Sequence, residues 1–339
     1  MPQLHRTLLC IGFGECLYVA YSRIAYTARM EKRRLLLTVH LPLLLTAIFW
    51  GSNFVAIKSV LGTLTVWDVA ATRGVLAATC HLLTLVFLWR GRTRVRREDW
   101  RRLVGIGVLG SFLTPIPIVV AQQFITASVS SLLTTINPLS TAFFAWLLLG
   151  TVLTPRRIVG MGMGLAGFLV ILLLGGPEVR FSTENAVGVL IMVCSPLAWG
   201  LYSVVSKPLL DRYPAMQLTA YSSLIGSVLL LPIFLTGTPA RLAQLSPTGW
   251  LTILWIGVGT MWLAYVFWFM GLRALQPSQV AVYIYLVPCF GVFFGWLLLG
   301  ERLTPFALLG GLAILAGVIV TNTASRAPQP RAALTNEPG

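Results

Sequence analysis

Acidic side chains are scarce in this sequence, with ten Asp and Glu among 339 residues against 25 Lys and Arg. The three histidines, His5, His40 and His81, lie far apart, there is no HExxH, and the carboxylates do not cluster. An intramembrane hydrolase or a metal-dependent enzyme therefore lacks its parts, and no metal site or cofactor is expected. Cys10, Cys16, Cys80, Cys194 and Cys289 are scattered through apolar segments without paired spacing, which excludes a disulfide framework and a zinc site. No glycine-rich stretch ending in Lys-Ser or Lys-Thr is present to cradle a nucleotide. Charge of either sign is rare at 10% of residues, while hydrophobic residues make up 57% and mean hydropathy is +0.83. That balance lies outside the range of soluble globular domains and marks an integral membrane protein. The net charge of +15 does not indicate a nucleic-acid partner, because DNA-binding patches occupy soluble surfaces.

A spanning helix needs about 20 mostly apolar residues to cross roughly 30 Å of hydrocarbon, with all its backbone groups paired internally. The apolar runs are too long, and alternate too little, for barrel strands of about 10 residues. Hydropathy marks ten spans, near 38–58, 66–89, 103–122, 128–150, 157–175, 186–206, 215–236, 249–271, 279–299 and 304–322. The expected fold is thus an all-α membrane protein of ten transmembrane helices. The tail 324–339, with three prolines, is expected to be disordered.

Cytoplasmic loops carry the excess of Lys and Arg near span ends. With the N-terminus inside, twenty of these residues fall inside, six of them before the first span and seven in RGRTRVRREDWRR. Four fall outside (Lys58, Arg180, Arg241, Arg302), and Arg73 lies within a span. Both termini are therefore expected on the cytoplasmic side. Residues 1–37 form an N-terminal extension in which LLCIGFGECLYVAYS is too short to span and is interrupted by Glu15. Met30 opens MEKRRLLLTVHLPLLL, which reads as the natural start; the alternatives for the preceding residues are an interfacial segment or a cleaved or regulatory extension.

The chain is built twice. Sliding it on itself by 150 residues aligns 125–170 with 275–320 without a gap, and 17 of 46 positions match. The matches include Pro138 with Pro288, FFAWLLLG with FFGWLLLG, and LTP at 153–155 and 303–305. At an offset of 149, Trp50, Gly51 and Lys58 reappear as Trp199, Gly200 and Lys207. The two units, 38–175 and 186–323, each hold five spans. An odd number turns the second unit over relative to the first. Two inverted five-helix repeats are the architecture that secondary transporters use for alternating access, with substrate held near the midplane.

These residues resemble the EamA domain of the drug/metabolite transporter superfamily. The resemblance rests on Trp50, Gly51, Asn53 and Lys58 in span one, Arg73 in span two, and Pro138 and Gly150 in span four. In the second unit it rests on Trp199, Gly200, Lys207, Pro288, Gly300 and Glu301. It implies a transporter of small metabolites, often an exporter, in a bacterial inner membrane, with a cavity between the halves. The pattern departs once: the family glutamate after Gly150 is Thr151 here, while Glu301 is kept.

Ionisable groups inside a bilayer are costly and carry function where no surface is within reach. Lys58 and Lys207 sit at opposite ends of their spans and read either as snorkelling anchors or as gates at opposite mouths. Glu301, at the outer end of span nine, reads as a solvated cap or a gate. Arg73 lies about seven residues into span two, roughly 10 Å down at 1.5 Å per residue. It either holds the bundle or faces the cavity; Asp68, five positions earlier, is poorly aligned for a local ion pair. Polar and aromatic residues inside spans supply the other cavity candidates. Asn53 follows Trp50 by three and Tyr202 follows Trp199 by three, each pair sharing a helix face. Gln122, Thr135, Asn137, Tyr265 and Tyr283 complete the set. Gly160, Gly162, Gly164, Gly310, Gly311 and Gly317 supply small faces for close helix contact, within the bundle or in a homodimer.

The expected function is secondary transport of a small metabolite, amino acid-like or amphipathic, by alternating access with possible proton coupling. A lipid or lipid-linked sugar flippase on the same fold is the alternative, and an intramembrane enzyme or a receptor is a weaker one.

Overall fold

The computed structural model describes residues 36–88, 94–151, 154–174, 183–274 and 282–323. Among them there is no strand, only an isolated bridge between Leu61 and Leu64. The helices of the first half are α1 (Leu37–Val60), α2 (Val66–Phe87), α3 (Arg97–Ala121), α4 (Ala127–Leu149) and α5 (Pro155–Leu174). Those of the second half are α6 (Asn185–Leu210), α7 (Ala215–Leu235), α8 (Pro247–Trp268), α9 (Tyr283–Leu299) and α10 (Pro305–Thr323). Seven of these are long and apolar enough to cross a membrane by length and composition: α1 to α4 and α6 to α8. The N-terminal extension to residue 35 and the tail from 324 lie outside the described residues.

Local sequence fixes the helix ends. Thr65 caps α2 in a reciprocal box, its side chain accepting from Asp68 N–H while the Asp68 carboxylate accepts from Thr65 N–H. Thr126 and Ser246 cap α4 and α8 in the same way, each accepting from the N–H three residues on. Both α4 and α9 stop on a left-handed glycine, Gly150 at φ 62° and Gly300 at φ 66°. The next N–H returns to the carbonyl six residues back, Thr151 to Ala145 and Glu301 to Gly295. Two boundaries differ from hydropathy. Helix α3 begins at Arg97, six residues before its apolar run, because Glu98 and Asp99 favour a first turn that hydropathy scores as loop. Helix α6 continues through Lys207 and Pro208 to Leu210.

The repeat extends to backbone irregularities. Helices α3 and α8 widen to i→i+5 hydrogen bonding at Val108–Leu113 and Trp255–Leu263. Thr114 N–H bonds Leu109 O in one and Ala264 N–H bonds Gly259 O in the other, positions related by the 150-residue offset. Ahead of Pro138 and Pro288, which have no N–H to donate, the chain tightens to 3₁₀ turns at Thr134–Ile136 and Val282–Tyr285.

Packing is equally paired. Helix α1 lies on α9 and α6 on α4, while α2 meets α7 and α5 meets α10 across the axis relating the halves. Contact is close because glycines remove the side chain. A Cβ at Gly51 would lie 2.5 Å from Phe290 Cβ and 3.0 Å from Gly291 N, and one at Gly200 would lie 2.7 Å from Ser140 C and 2.8 Å from Thr141 N. A Cβ at Gly167 would lie 2.5 Å from Gly310 O, and one at Gly317 would run into Gly160 O. The glycine faces of α5 and α10 thus pack against each other within one chain.

Gly51→Val is expected to destabilise the fold by about 1–3 kcal/mol, the usual cost of overpacking. Gly105→Ala adds a methyl with nothing within 4 Å; it is expected to be neutral or to stabilise by up to about 1 kcal/mol through helix propensity. Thermal melts of the two variants in detergent, followed by circular dichroism, check the contrast.

Candidate functional site

The helices from both halves leave a cavity of about 140 Å³ between them. Its polar floor comes from a few side chains placed by helical spacing. Arg73, Ala77 and His81 stand four residues apart along α2 and all line the cavity, one face over two turns. Helix α7 contributes Thr219, Ser222, Ser223 and Ser227, and the widened part of α3 contributes Gly110, Ser111 and Thr114.

Of the residues expected from sequence, Trp50, Asn53, Arg73, Asn137, Trp199, Tyr202 and Tyr265 line this cavity together. Trp50 Nε1 donates to Thr260 O at 3.1 Å, and its ring meets Tyr265 edge-on with centroids 5.5 Å apart. Asn53 is buried and accepts from Thr260 Oγ1 at 3.0 Å. Trp199 and Tyr202 lie 5.6 Å apart. Three others are placed elsewhere. Gln122 is wholly buried at the end of α3, Thr135 donates to Leu132 O at 2.6 Å, and Tyr283 meets His40 Nδ1 at 2.6 Å. A polar side chain in a span has several ways to find a partner, and only its direction decides whether it faces a cavity. His81, Ser111, Ser222 and Met261 line the site without having been singled out from sequence. The polar run of α7 and the eight-residue spacing of His81 from Arg73 were the available signals.

The two halves furnish the site differently at equivalent positions. Arg73 Nη2 donates to Met261 Sδ at 3.2 Å, whereas the residues at the same offsets, Ser222 and Ser111, meet Oγ to Oγ at 3.0 Å. Thr260 binds Asn53, but its counterpart Gly110 leaves room for the Tyr202 ring, whose Cε2 would lie 2.6 Å from a Cβ there.

The duplicated helices around a central cavity correspond to a sequence family that matches twice, at residues 37–173 and 186–323. The chain belongs to the EamA-like transporter family. An uncharacterized transporter of Archaeoglobus fulgidus is 30% identical over 83% of this chain and 96% of its own length. A probable terminal-alkyne amino-acid exporter of Streptantibioticus cattleyicolor is 27% identical over 83% of this chain and 92% of its own. An S-adenosylmethionine/S-adenosylhomocysteine transporter of Chlamydia muridarum is 26% identical over 81% and 87%. A crystal structure 21% identical in sequence, covering 84% of this chain and 96% of its own, superposes with a TM-score of 0.58 and shows the same fold. The family is one of multi-pass membrane transporters of small molecules, not of enzymes.

In this EamA-like transporter two charged residues at helix ends, Lys58 and Glu301, are engaged. Lys58 Nζ donates to Gln122 O at 2.5 Å and Ile125 O at 3.1 Å, a cation on the carbonyls that end α3. Glu301 accepts from Ala127 N–H and Ser128 N–H, both at 2.8 Å, and from Ser128 Oγ at 2.6 Å, an anion on the first turn of α4. The α3–α4 turn is therefore held from both sides by opposite charges. Lys207 is exposed in the last turn of α6. Asp68 does not pair with Arg73. It is fully buried and receives Arg241 Nε at 2.6 Å, Arg241 Nη2 at 2.7 Å and Thr238 Oγ1 at 2.6 Å. At the start of α3, buried Asp99 receives Arg212 Nη1 at 3.0 Å and the Tyr213 hydroxyl at 2.7 Å. Each cluster ties the first half to the second.

Asp68→Asn leaves Arg241 without its carboxylate and is expected to lower the melting temperature, because buried Asp68 gives up its charge-assisted bonds. Arg241→Gln in the Asp68→Asn background is expected to add little. Denaturation of the single and double variants measures the coupling.

Proposed function

We propose that this chain is a secondary transporter that exports a small metabolite, amino acid-like or amphipathic, from the cytoplasm across an inner membrane, crossing it ten times with both termini inside. The observation that carries the reading is the central cavity lined by equivalent residues of the two repeats, Trp50 with Asn53 and Trp199 with Tyr202. Indole faces suit an apolar portion of a solute, and amide and hydroxyl groups fix its polar end. The names of two relatives, for an amino acid and for S-adenosylmethionine and S-adenosylhomocysteine, support cargo of this size and polarity. The excess of Lys and Arg on one side supports the orientation.

Alternating access requires that the cavity open at one end while the other stays shut. The Asp68–Arg241 and Asp99–Arg212 clusters tie the halves at two separate places, and we assign them to the two closures. Each is a short set of charge-assisted bonds that exposure to water can replace. Proton coupling would run through His81, the one imidazole lining the cavity among the described residues.

Reconstitution into liposomes tests the function. A radiolabelled amino-acid pool loaded inside is expected to leave faster than from protein-free vesicles, and faster again with a pH gradient. Flux that ignores the gradient removes proton coupling and leaves transport. Movement of labelled lipid with no movement of soluble solutes replaces the proposal by a flippase. Trp50→Ala is expected to cut flux at least tenfold with normal folding.

A further inference from the structure

We infer that the cavity takes an organic monocarboxylate and that Arg73 holds its negative end; this rests on the transport reading above and names the substrate class. Arg73 is 2% exposed and lines the cavity from the middle of α2. Among the described residues the one hydrogen-bond acceptor its guanidinium meets is Met261 Sδ, a weak one, at 3.2 Å. Nε and Nη1 are buried with no partner among those residues.

Among the described residues no carboxylate is disposed to fill this gap, and those lining the cavity include no Asp or Glu. Asp68, the acid on the same helix, is saturated by Arg241, Thr238 and Thr65. Asp99 is taken by Arg212 and Tyr213, and Glu301 by the start of α4. A guanidinium cannot relieve its burial by losing a proton, as a lysine or histidine can. Buried charges persist where they are paired. A structural role would show backbone carbonyls around the cation, the arrangement that Lys58 displays with Gln122 and Ile125. Arg73 has none, so the partner its fork suits is one that comes and goes: a carboxylate, whose two oxygens match the parallel N–H groups.

Two other cavity-lining residues have buried atoms without a partner among the described residues, Asn137 Oδ1 and His81 Nε2; the amide oxygen can receive a donor such as an ammonium or hydroxyl group. Trp50 and Trp199 offer apolar faces. An amine or other cation without a carboxylate finds no acid here and meets the like charge of Arg73. The repeat does not double the site, because the position equivalent to Arg73 is Ser222, already bonded to Ser111. One carboxylate per chain is accommodated.

The test uses the full chain in detergent and in liposomes with the twenty common amino acids, each beside its carboxamide and its decarboxylated amine. At least one acid is expected to bind by calorimetry and to be transported, with its amide and amine weaker by tenfold or more. Arg73→Gln is expected to lose that binding by tenfold or more, and Arg73→Lys to keep part of it. Arg73→Gln is also expected to melt at or above the wild-type temperature, since it removes an unpaired buried charge; a structural arginine would give a clear drop. Should the glutamine variant fail to fold, the acid-to-amide ratio on the wild-type protein still decides. An amide or amine handled as well as its acid, or unchanged binding by Arg73→Gln, overturns the carboxylate site while leaving the transport reading intact. Lipid movement with no flux of any solute overturns both.

Discussion

Hydrocarbon offers no hydrogen-bond partner, so every polar group carried into the bilayer has to be met by another part of the same chain. That constraint orders most of the side-chain chemistry of this protein. The free carbonyls at the end of α3 are met by Lys58, and the free N–H groups at the start of α4 are met by Glu301. Thr46, Ser140 and Ser227 donate to carbonyls of neighbouring helices, Ala264, Pro196 and Gly74. Buried Asp68 gathers five donors from three residues. Beside these groups Arg73 stands out as a buried charge, a guanidinium resting on a thioether with two further nitrogens unpartnered among the described residues.

The duplication explains the scaffold and its limits explain the site. Glycines at equivalent positions bring α1 onto α9 and α6 onto α4, and the widened turns of α3 and α8 recur at the same offset. A backbone built twice in opposite senses is the architecture on which secondary transporters build alternating access. Side chains at the centre break the relation. Arg73 with Met261 faces Ser222 with Ser111, and Thr260 with Asn53 faces Gly110 with Tyr202. The lining is therefore uneven, with charge on the first half and the hydroxyls of Thr219, Ser222, Ser223 and Ser227 on the second.

The scaffold was legible in the sequence because it depends on properties that add along the chain. Apolar length marks helices, Thr65 and Thr126 mark starts, and Gly150 and Gly300 mark ends. Hydropathy placed the start of α3 too late, since Arg97 to Arg102 are helical but charged. The site was legible in part. Trp50, Asn53, Trp199 and Tyr202 stood out because the repeat copied their spacing. Thr135 and Tyr283 do not line the cavity because a hydroxyl near a span can turn to its own backbone or to a neighbouring helix, as Thr135 does to Leu132 and Tyr283 does to His40, and Gln122 is buried at the end of α3. His81 was passed over as a metal ligand or base without partners, and its role on the face of Arg73 required knowing that α2 turns that face inward.

The departure from the family pattern at Thr151 follows from the same accounting of donors. Glu301 is useful because α4 begins with Ala127 and Ser128, whose two N–H groups and one hydroxyl converge on its carboxylate. The residues that stand at those positions in the second repeat are Pro277 and Ser278. Both lie outside the described residues; proline has no N–H, so the sequence at these offsets offers one backbone donor fewer than Ala127 and Ser128 do. An ionised group short of donors is costly near hydrocarbon, and a neutral hydroxyl is not. The α3–α4 turn keeps an ion on each side, while position 151 carries a neutral hydroxyl in place of a carboxylate.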